Sequence, residues 1–341
     1  MASPGLSEIV TTTLRNRSKK LADNMLRNNG ALVRLNSRGN VKPANGGRTI
    51  VQELEYANNT TYKRYSGYEV LNIAPSDVFT AAEFPWRQAA VAVSISGLEQ
   101  LQNSGPSQVI DLLESRIKNA EKTFMNGLAY DVYSDGTLAN QIGGLQYLIA
   151  STPTSGIIGG IDRGTWNFWR NITYSALTNG GAALTSANVY SYMLALYTQL
   201  IRQQDRPDLI LASDTAWRAY NESLHAIQRI TSTDTDVAKA GYMSVKFMDS
   251  DVVLDGGFQG VTGDGANWGA ADAFVTGGVP SGVHFYFLNT NYIYLRPHPD
   301  RNMSPIEPRR FSVNQDAMVE LQGWAGNMTL SNAFLQGVLT T

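Results

Sequence analysis

The clearest repeating pattern in the chain lies between Pro106 and Tyr130, where apolar residues recur at alternating steps of three and four positions. This spacing places them on one stripe of an α-helix, which at about 1.5 Å per residue is roughly 36 Å long. Pro106 suits the first turn because its missing N–H is not needed there. The pattern alone leaves an ordinary core helix as one interpretation. The predicted core residues of the stripe are Ile110, Leu113, Ile117, Phe124 and Leu128.

Two segments before this helix have the alternating pattern of β-strands. Thr49 to Tyr56 alternates apolar and polar residues, and Arg87 to Ile95 forms a second strand-like run. We predict that these strands pair as a long hairpin and that the residues between them project as an excursion. An ordinary surface loop is the alternative interpretation. Tyrosines beside basic residues favour a protein interface, and the predicted contact residues are Tyr62, Lys63, Arg64, Tyr65 and Tyr68.

The second half of the chain has the pattern of an α/β lobe. Ser186 to Gln203 is predicted to be helical, and Leu209 to Ala212 has the continuous apolar character of a buried strand. Asp214 then offers N-cap chemistry for a second helix. Gly256 to Gly282 is a glycine-rich loop, and its length indicates a functional or mobile segment. Aromatic-rich strands such as His284 to Leu288 follow, so we predict an α+β fold.

Composition removes several classes of function. Hydrophobic residues make up 43% of the chain and charged residues only 16%, which indicates a folded protein. The absence of cysteine excludes disulfides, thiolate nucleophiles and cysteine metal sites. No apolar run reaches the roughly 18 residues of a membrane span, and the first residues lack a signal-peptide pattern. We therefore expect an intracellular product without a membrane partner.

Positive charge is concentrated at the start of the chain. The first 48 residues contain nine basic and two acidic residues, a net charge of +7, so the remainder carries −9 of the total of −2. A weak apolar stripe predicts an N-terminal helix that ends near Gly30, and Ala31 to Gly47 is predicted as an extended arm. A basic arm on an acidic body indicates contact with another molecule or subunit, and a solvated basic helix is the alternative. The predicted contact residues are Arg15, Arg17, Lys19 and Lys20.

Sequence motifs for catalysis or cofactor binding are not found. The chain has no P-loop and no nucleophile elbow, and its histidines at positions 225, 284 and 298 lack a two-histidine metal spacing. Pairs of aspartates do not continue into a calcium-binding loop. Although a triad could still assemble in space, we predict no catalytic, cofactor-binding or metal-binding residue, no cofactor, and no enzymatic activity.

The order of these features resembles the major capsid proteins of tailed double-stranded DNA bacteriophages, whose fold is shared with encapsulins. The resemblance covers almost the whole chain and lies in a succession of landmarks more than in one short signature. The landmarks are Tyr65, Gly67, Tyr68 and Glu69, then Gly143, Gly144 and Leu145 after the long helix, Pro207 to Ile210, Leu288 and Asn289, Asn314 to Ala317, and Gly326, Asn327, Leu330 and Asn332.

The resemblance implies a phage major capsid fold with four parts. An N-terminal arm covers residues 1–45, and an extended β-hairpin loop covers residues 46–94. A peripheral domain, residues 95–185 and 283–323, contains the long helix as its spine. An α/β axial domain covers residues 186–282 and 324–341.

The same resemblance implies a structural protein that self-assembles into pentamers and hexamers of an icosahedral shell around the double-stranded DNA genome. Assembly in the bacterial host cytoplasm and procapsid maturation would precede its place in the virion capsid. A separate scaffolding protein and a portal are the implied partners besides the chain itself, with non-specific contact to packaged DNA. A decoration protein is left open. Lys63 invites comparison with relatives that crosslink their subunits, but we interpret it as an exposed contact lysine. The alternatives are an encapsulin-like compartment and, from another class, a soluble carbohydrate-binding protein or hydrolase.

Overall fold

The computed structural model of the protein describes residues 29–96, 106–225, 244–254, 283–306, 310–311 and 317–341. Its α-helices are α1 Gly30–Ser37, α2 Pro106–Asp131, α3 Leu145–Leu148, α4 Val189–Leu200 and α5 Asp214–His225. Single 3₁₀ turns occupy Asn167–Trp169 and Thr290–Tyr292. None of these helices combines the length and the apolar character that crossing a membrane requires.

Fourteen strands are found in the described ranges. The first seven are β1 Thr49–Glu55, β2 Phe79–Pro85, β3 Arg87–Ser96, β4 Ile157–Ile158, β5 Ile161–Asp162, β6 Ile172–Ser175 and β7 Leu209–Ala212. The others are β8 Ser244–Phe247, β9 Ser250–Leu254, β10 Val283–Leu288, β11 Ile293–Pro305, β12 Arg310–Phe311, β13 Ala317–Leu330 and β14 Gly337–Thr340.

A six-stranded sheet in the order β6-β14-β10-β7-β9-β8 lies between two apolar clusters. Along β7, Leu209 and Leu211 join one cluster, while Ile210 and Ala212 join the other, which contains the apolar faces of α4 and α5. A strand with both faces buried needs a continuous apolar sequence, because successive side chains point to opposite faces. This is why the run Leu209–Ala212 predicted a buried strand.

A second sheet supports the long helix. Strand β13 pairs with β11 and β12, and it also pairs with β3 over the whole length of β3. Helix α2 packs against β3, and Ile117, Phe124 and Leu128 are buried. The side chains of Ile110 and Leu113 lie outside the part of the helix whose side chains are described. Glu121, which the helical pattern puts on the polar face, is buried, so the buried stripe is wider than its apolar residues indicate.

The predicted pairing of the hairpin is wrong. Strand β1 pairs with β2, residues Phe79–Pro85, whereas β3, the predicted partner of β1, pairs with β13. Strand β2 also alternates, with Ala82 and Phe84 buried, and only Trp86 separates it from β3. Alternation shows which face of a strand is buried and does not show which strand lies beside it. The excursion between the hairpin strands is therefore shorter and covers residues 57–78.

Sheet membership also differs from the predicted domain boundaries. Strands β6 and β10 fall in segments predicted to be peripheral, yet both belong to the six-stranded sheet. Residues 324–330 of β13 were predicted to be axial, and they pair with β11 in the other sheet. These strands pair with segments far away in sequence, and local patterns do not specify such partners. The division into domains itself stays a prediction.

The N-terminal arm contains a helix that the sequence analysis missed. Gly30 was predicted to end a helix, but it begins α1, because the Asn29 side chain accepts hydrogen bonds from the N–H groups of Ala31 and Leu32. Leu32 and Leu35 are buried in the same cluster as Leu209. The predicted extended arm from Ala31 therefore starts as a packed helix.

A buried ionic cluster holds α1 against the six-stranded sheet. The Nε of Arg34 lies 3.0 Å from Oδ2 of Asp208, and its Nη1 lies 3.7 Å from Oδ2 of Asp251. Asp208 also accepts hydrogen bonds from the backbone N–H and the hydroxyl of Thr290, at 2.8 and 2.6 Å. The cluster thus connects four elements: helix α1, the beginning of strand β7, the beginning of strand β9, and the turn before β11.

We expect Asp208→Ala to lower the free energy of unfolding by about 3–5 kcal/mol, because it leaves the buried Arg34 without its nearest carboxylate. Urea unfolding of the purified protein measures this change. The matched control is Asp249→Ala, which breaks the exposed Arg206–Asp249 pair at 2.8 Å and is expected to cost less than about 1 kcal/mol. Equal losses in the two variants would contradict the role given to the buried cluster.

Candidate intersubunit contact surfaces

The excursion, residues 57–78, exposes large side chains that no other described part of the chain covers. It has no regular helix or strand, and every residue from position 62 to 75 is exposed. Tyr68 is fully exposed, Ile73 is 93% exposed and Val70 is 88% exposed. Apolar surface gathered in this way on a projecting segment marks a site of interaction with another molecule. The five predicted contact residues, Tyr62, Lys63, Arg64, Tyr65 and Tyr68, all lie here and are all exposed.

Among the described residues, few hydrogen bonds or ion pairs hold the excursion. Lys63 forms an ion pair with Glu69 at 2.9 Å, and both side chains are nearly half exposed. The Asn59 side chain accepts hydrogen bonds from the backbone of Thr61 at 2.9 Å and from the hydroxyl of Ser76 at 3.2 Å. Exposed pairs of this kind contribute only about 0–1 kcal/mol each. The excursion therefore has little that fixes it except its attachment to the hairpin.

The base of the hairpin, in contrast, is fixed to the body of the protein. Ile50, Leu54 and Phe84 are buried on its inner face. Gln52 on the same face accepts hydrogen bonds from Arg296 at 2.9 Å and from Thr329 at 3.4 Å. The outer face is exposed, and its side chains include Val51, Glu53, Glu55, Ala81 and Glu83.

Aromatic rings pack where the hairpin meets the excursion. Tyr56 lies 5.5 Å from Phe168 and 6.1 Å from Trp166, measured between ring centroids. Trp169 is buried and donates its Nε1–H to the carbonyl of Ile158 at 3.0 Å. Local sequence patterns give these rings no role, because their partner Tyr56 is about 110 positions away. They support the point from which the excursion projects.

The structure brings together two of the sequence landmarks. Asn327 accepts a hydrogen bond from the N–H of Gly143 at 3.1 Å and donates one to the carbonyl of Pro85 at 2.8 Å. One amide side chain thus joins β13, the turn after α2 and the junction of β2 with β3. At Gly144 a Cβ would overlap backbone atoms of Asp131. Only glycine allows the chain to pass this close to the end of α2.

Asp131 ends α2 and is half-buried beside this turn. Burial raises the pKa of its carboxyl group to about 6, although a hydrogen bond from Gln141 opposes the shift. A carboxylate at a helix C-terminus also faces the negative end of the helix dipole. The ionised form of Asp131 is therefore disfavoured in the folded protein.

The other predicted contact residues, Arg15, Arg17, Lys19 and Lys20, lie outside the described residues. The described side chains of His, Asp and Glu contain no group of three that could hold a metal ion.

No family model and no curated protein sequence matches this chain. Solved capsid structures do match it over most of its length. The Cyanophage A-1(L) capsid asymmetric unit has a TM-score of 0.62 at 16% identity, covering 90% of this chain and 92% of that chain. The capsid of the native GTA particle, computed with C5 symmetry, has a TM-score of 0.54 at 13% identity, covering 89% and 88%. The predicted fold class is confirmed, because the chain has the mixed helix and sheet fold of these capsid proteins.

We expect Asp131→Asn to stabilise the protein above pH 6. The folded-state pKa of about 6 lies above the ordinary value of 3.8, so the protonated carboxyl stabilises the fold at low pH, and this contribution is lost as pH rises through about 6. An asparagine keeps a neutral side chain at every pH. Urea unfolding between pH 5 and 8 should show a difference between variant and wild type that grows to the order of 2 kcal/mol. A difference that does not change with pH would contradict the assignment.

Proposed function

We propose that this chain is the structural major capsid protein of a tailed bacteriophage. In this proposal many copies assemble into pentamers and hexamers of an icosahedral shell that encloses double-stranded DNA. The observation that carries the proposal is the likeness to the Cyanophage A-1(L) capsid asymmetric unit, which covers 90% of this chain and 92% of that one. A likeness over the full subunit supports a shell role more strongly than a shared local motif does.

The exposed excursion supports the same function on physical grounds. A two-stranded hairpin is marginally stable in water on its own, and this one carries exposed tyrosines and aliphatic residues beyond its anchored base. A neighbouring subunit would cover them. Contacts repeated around a closed shell reinforce one another, so no single contact needs high affinity. We therefore assign the excursion residues Tyr62, Lys63, Arg64, Tyr65 and Tyr68 to intersubunit contacts.

The uneven charge distribution fits a shell that encloses DNA. Arg15, Arg17, Lys19 and Lys20 belong to a basic segment, while the rest of the chain is acidic. The basic arm would contact a neighbouring subunit, and the acidic body would hold packaged DNA only loosely and without sequence specificity. In this proposal the chain has no catalytic activity, works with a separate scaffolding protein and a portal, assembles in the host cytoplasm and matures from a procapsid.

Expression of the chain, alone and with a candidate scaffolding protein, tests the proposed function. We expect closed shells by electron microscopy and a rise in light scattering above a critical protein concentration. Packaged DNA would distinguish a phage capsid from an encapsulin-like compartment, which would hold enzyme cargo. A protein that stays monomeric under all conditions and hydrolyses a carbohydrate substrate would overturn the proposal.

Replacing Tyr62, Tyr65 and Tyr68 together by serine is expected to raise the critical concentration for assembly at least tenfold, because the proposed contact loses three aromatic rings. The free energy of unfolding should change by less than about 0.5 kcal/mol per substitution, since these rings are exposed in the subunit. Light scattering and urea unfolding measure the two effects. The matched control is Leu177→Ser, an exposed apolar residue outside the excursion. If the critical concentration for assembly of the triple variant equalled that of the wild type, the excursion would not be part of the interface.

A further inference from the structure

Four asparagines of the chain are followed directly by glycine: Asn29, Asn45, Asn126 and Asn179. In such a pair the glycine nitrogen can attack the side-chain amide carbon of the asparagine, because glycine has no Cβ to obstruct the approach. Asparagine is a thermolabile residue in proteins. The attack requires an exposed side chain, a backbone that can rotate, and a glycine N–H that no hydrogen bond holds. The fold decides which of the four pairs meets these conditions.

Two of the pairs are protected by helices. Asn29 is fully buried, and its side chain accepts hydrogen bonds from the N–H groups of Ala31 and Leu32 at the start of α1. Asn126 is exposed but lies inside α2. Within a helix each N–H is bonded to the carbonyl four residues earlier, so the nitrogen of Gly127 is held away from the Asn126 side chain.

The pair at Asn179 is the closest comparison, because residues 179–181 repeat the tripeptide Asn-Gly-Gly of residues 45–47. Asn179 is exposed, yet its side chain accepts a hydrogen bond from the N–H of Ser175 at 3.0 Å. The N–H of Gly180 donates to the carbonyl of Ser175 at 3.2 Å. Both reacting groups of this pair are therefore held by the same turn.

The pair at Asn45 meets all three conditions. Asn45, Gly46 and Gly47 are exposed and lie outside every helix and strand. No described residue forms a hydrogen bond with the Asn45 side chain or the Gly46 N–H. A Cβ placed on Gly46 would meet no atom within 4 Å, so the space around the pair is open. Gly46 and Gly47 have φ values of +72° and +96°, which residues with a side chain rarely adopt.

We propose that Asn45 is a site of spontaneous deamidation. Hydroxide removes the proton from the Gly46 nitrogen, which then forms a bond to Cγ of Asn45. The bond from Cγ to Nδ2 breaks, and ammonia leaves with a proton taken from water. Water opens the resulting cyclic imide at either carbonyl. Opening at the side-chain carbonyl gives aspartate, and opening at the backbone carbonyl gives isoaspartate, whose main chain runs through the former side chain.

The reaction falls where the N-terminal arm joins the hairpin of β1 and β2. Before Asn45, Ala44 donates its backbone N–H to the carbonyl of Pro297 at 3.0 Å. After it, the carbonyl of Gly47 accepts the indole N–H of Trp86 at 2.9 Å. Only two residues lie between these attachments, and isoaspartate adds one carbon to the main chain there. Both products also add a negative charge to a chain whose formal net charge is −2.

Mass spectrometry of tryptic peptides tests the proposal, because trypsin releases residues 39–48 and 171–202 as separate peptides. The folded full chain is incubated at pH 8 and sampled over days, and a zero-time sample corrects for deamidation during digestion. We expect deamidation at Asn45 to be at least ten times faster than at Asn179. Fragment ions distinguish Asn45 from the buried Asn40 in the same peptide. Deamidation of Asn45 no faster than that of Asn179 would overturn the proposal.

The same incubation in urea tests whether the fold selects the site. Both tripeptides then lose their surroundings, so we expect their two rates to agree within about twofold. The opposite outcome, in which the tenfold ratio persists in urea, would overturn the protection assigned to the turn at Ser175.

Two glycine variants test the chemical route. Gly46→Ala is expected to slow deamidation of Asn45 at least tenfold, because the added Cβ obstructs the attacking nitrogen. The matched control is Gly181→Ala, which alters another open glycine with a positive φ, of +77°, and should leave the rate at Asn45 unchanged. An unchanged rate at Asn45 in the Gly46→Ala variant would exclude the imide route.

A further variant separates the two effects of the reaction. Asn45→Asp introduces the charge with a normal main chain, whereas the aged protein also contains isoaspartate, measured with an isoaspartate methyltransferase. We expect faster amide hydrogen exchange in β1 of the aged protein and unchanged exchange in Asn45→Asp. Equal exchange in the aged protein and the fresh wild type would overturn the effect of the longer main chain on the hairpin.

Discussion

The buried carboxylate of Asp208 constrains how three distant parts of the chain meet. Arg34 lies beside it, and Thr290 donates two hydrogen bonds to it. Removing one partner of a buried ion pair leaves an uncompensated charge, which is far more costly than losing an exposed pair. Helix α1, strand β7 and the turn before β11 are therefore held in one arrangement, and the sheet above them is buried on both faces.

The hairpin formed by β1 and β2 has a buried base and an exposed tip. The hairpin is tied to the body through Gln52 and through the apolar residues of its inner face, and Asn327 fixes the junction of β2 and β3. Beyond this anchored base, the excursion exposes aromatic and aliphatic residues that no other described part of the chain covers. The hairpin therefore has a base fixed by buried contacts and a tip whose apolar side chains are exposed.

The sequence by itself determined the elements whose signal is local. The three- and four-residue spacing predicted the helix from Pro106 to Tyr130, observed as α2 Pro106–Asp131. The apolar run Leu209–Ala212 predicted a buried strand, which is observed as β7. The succession of landmarks predicted the fold class. Only the tertiary structure decided the partner of β1, the sheet to which β3 belongs, the start of α1 at Gly30, and the pairing of Arg34 with Asp208 across 174 positions. The physical reason is that periodicity records which side of an element is buried, whereas the partner on that side is chosen by packing between segments far apart in sequence.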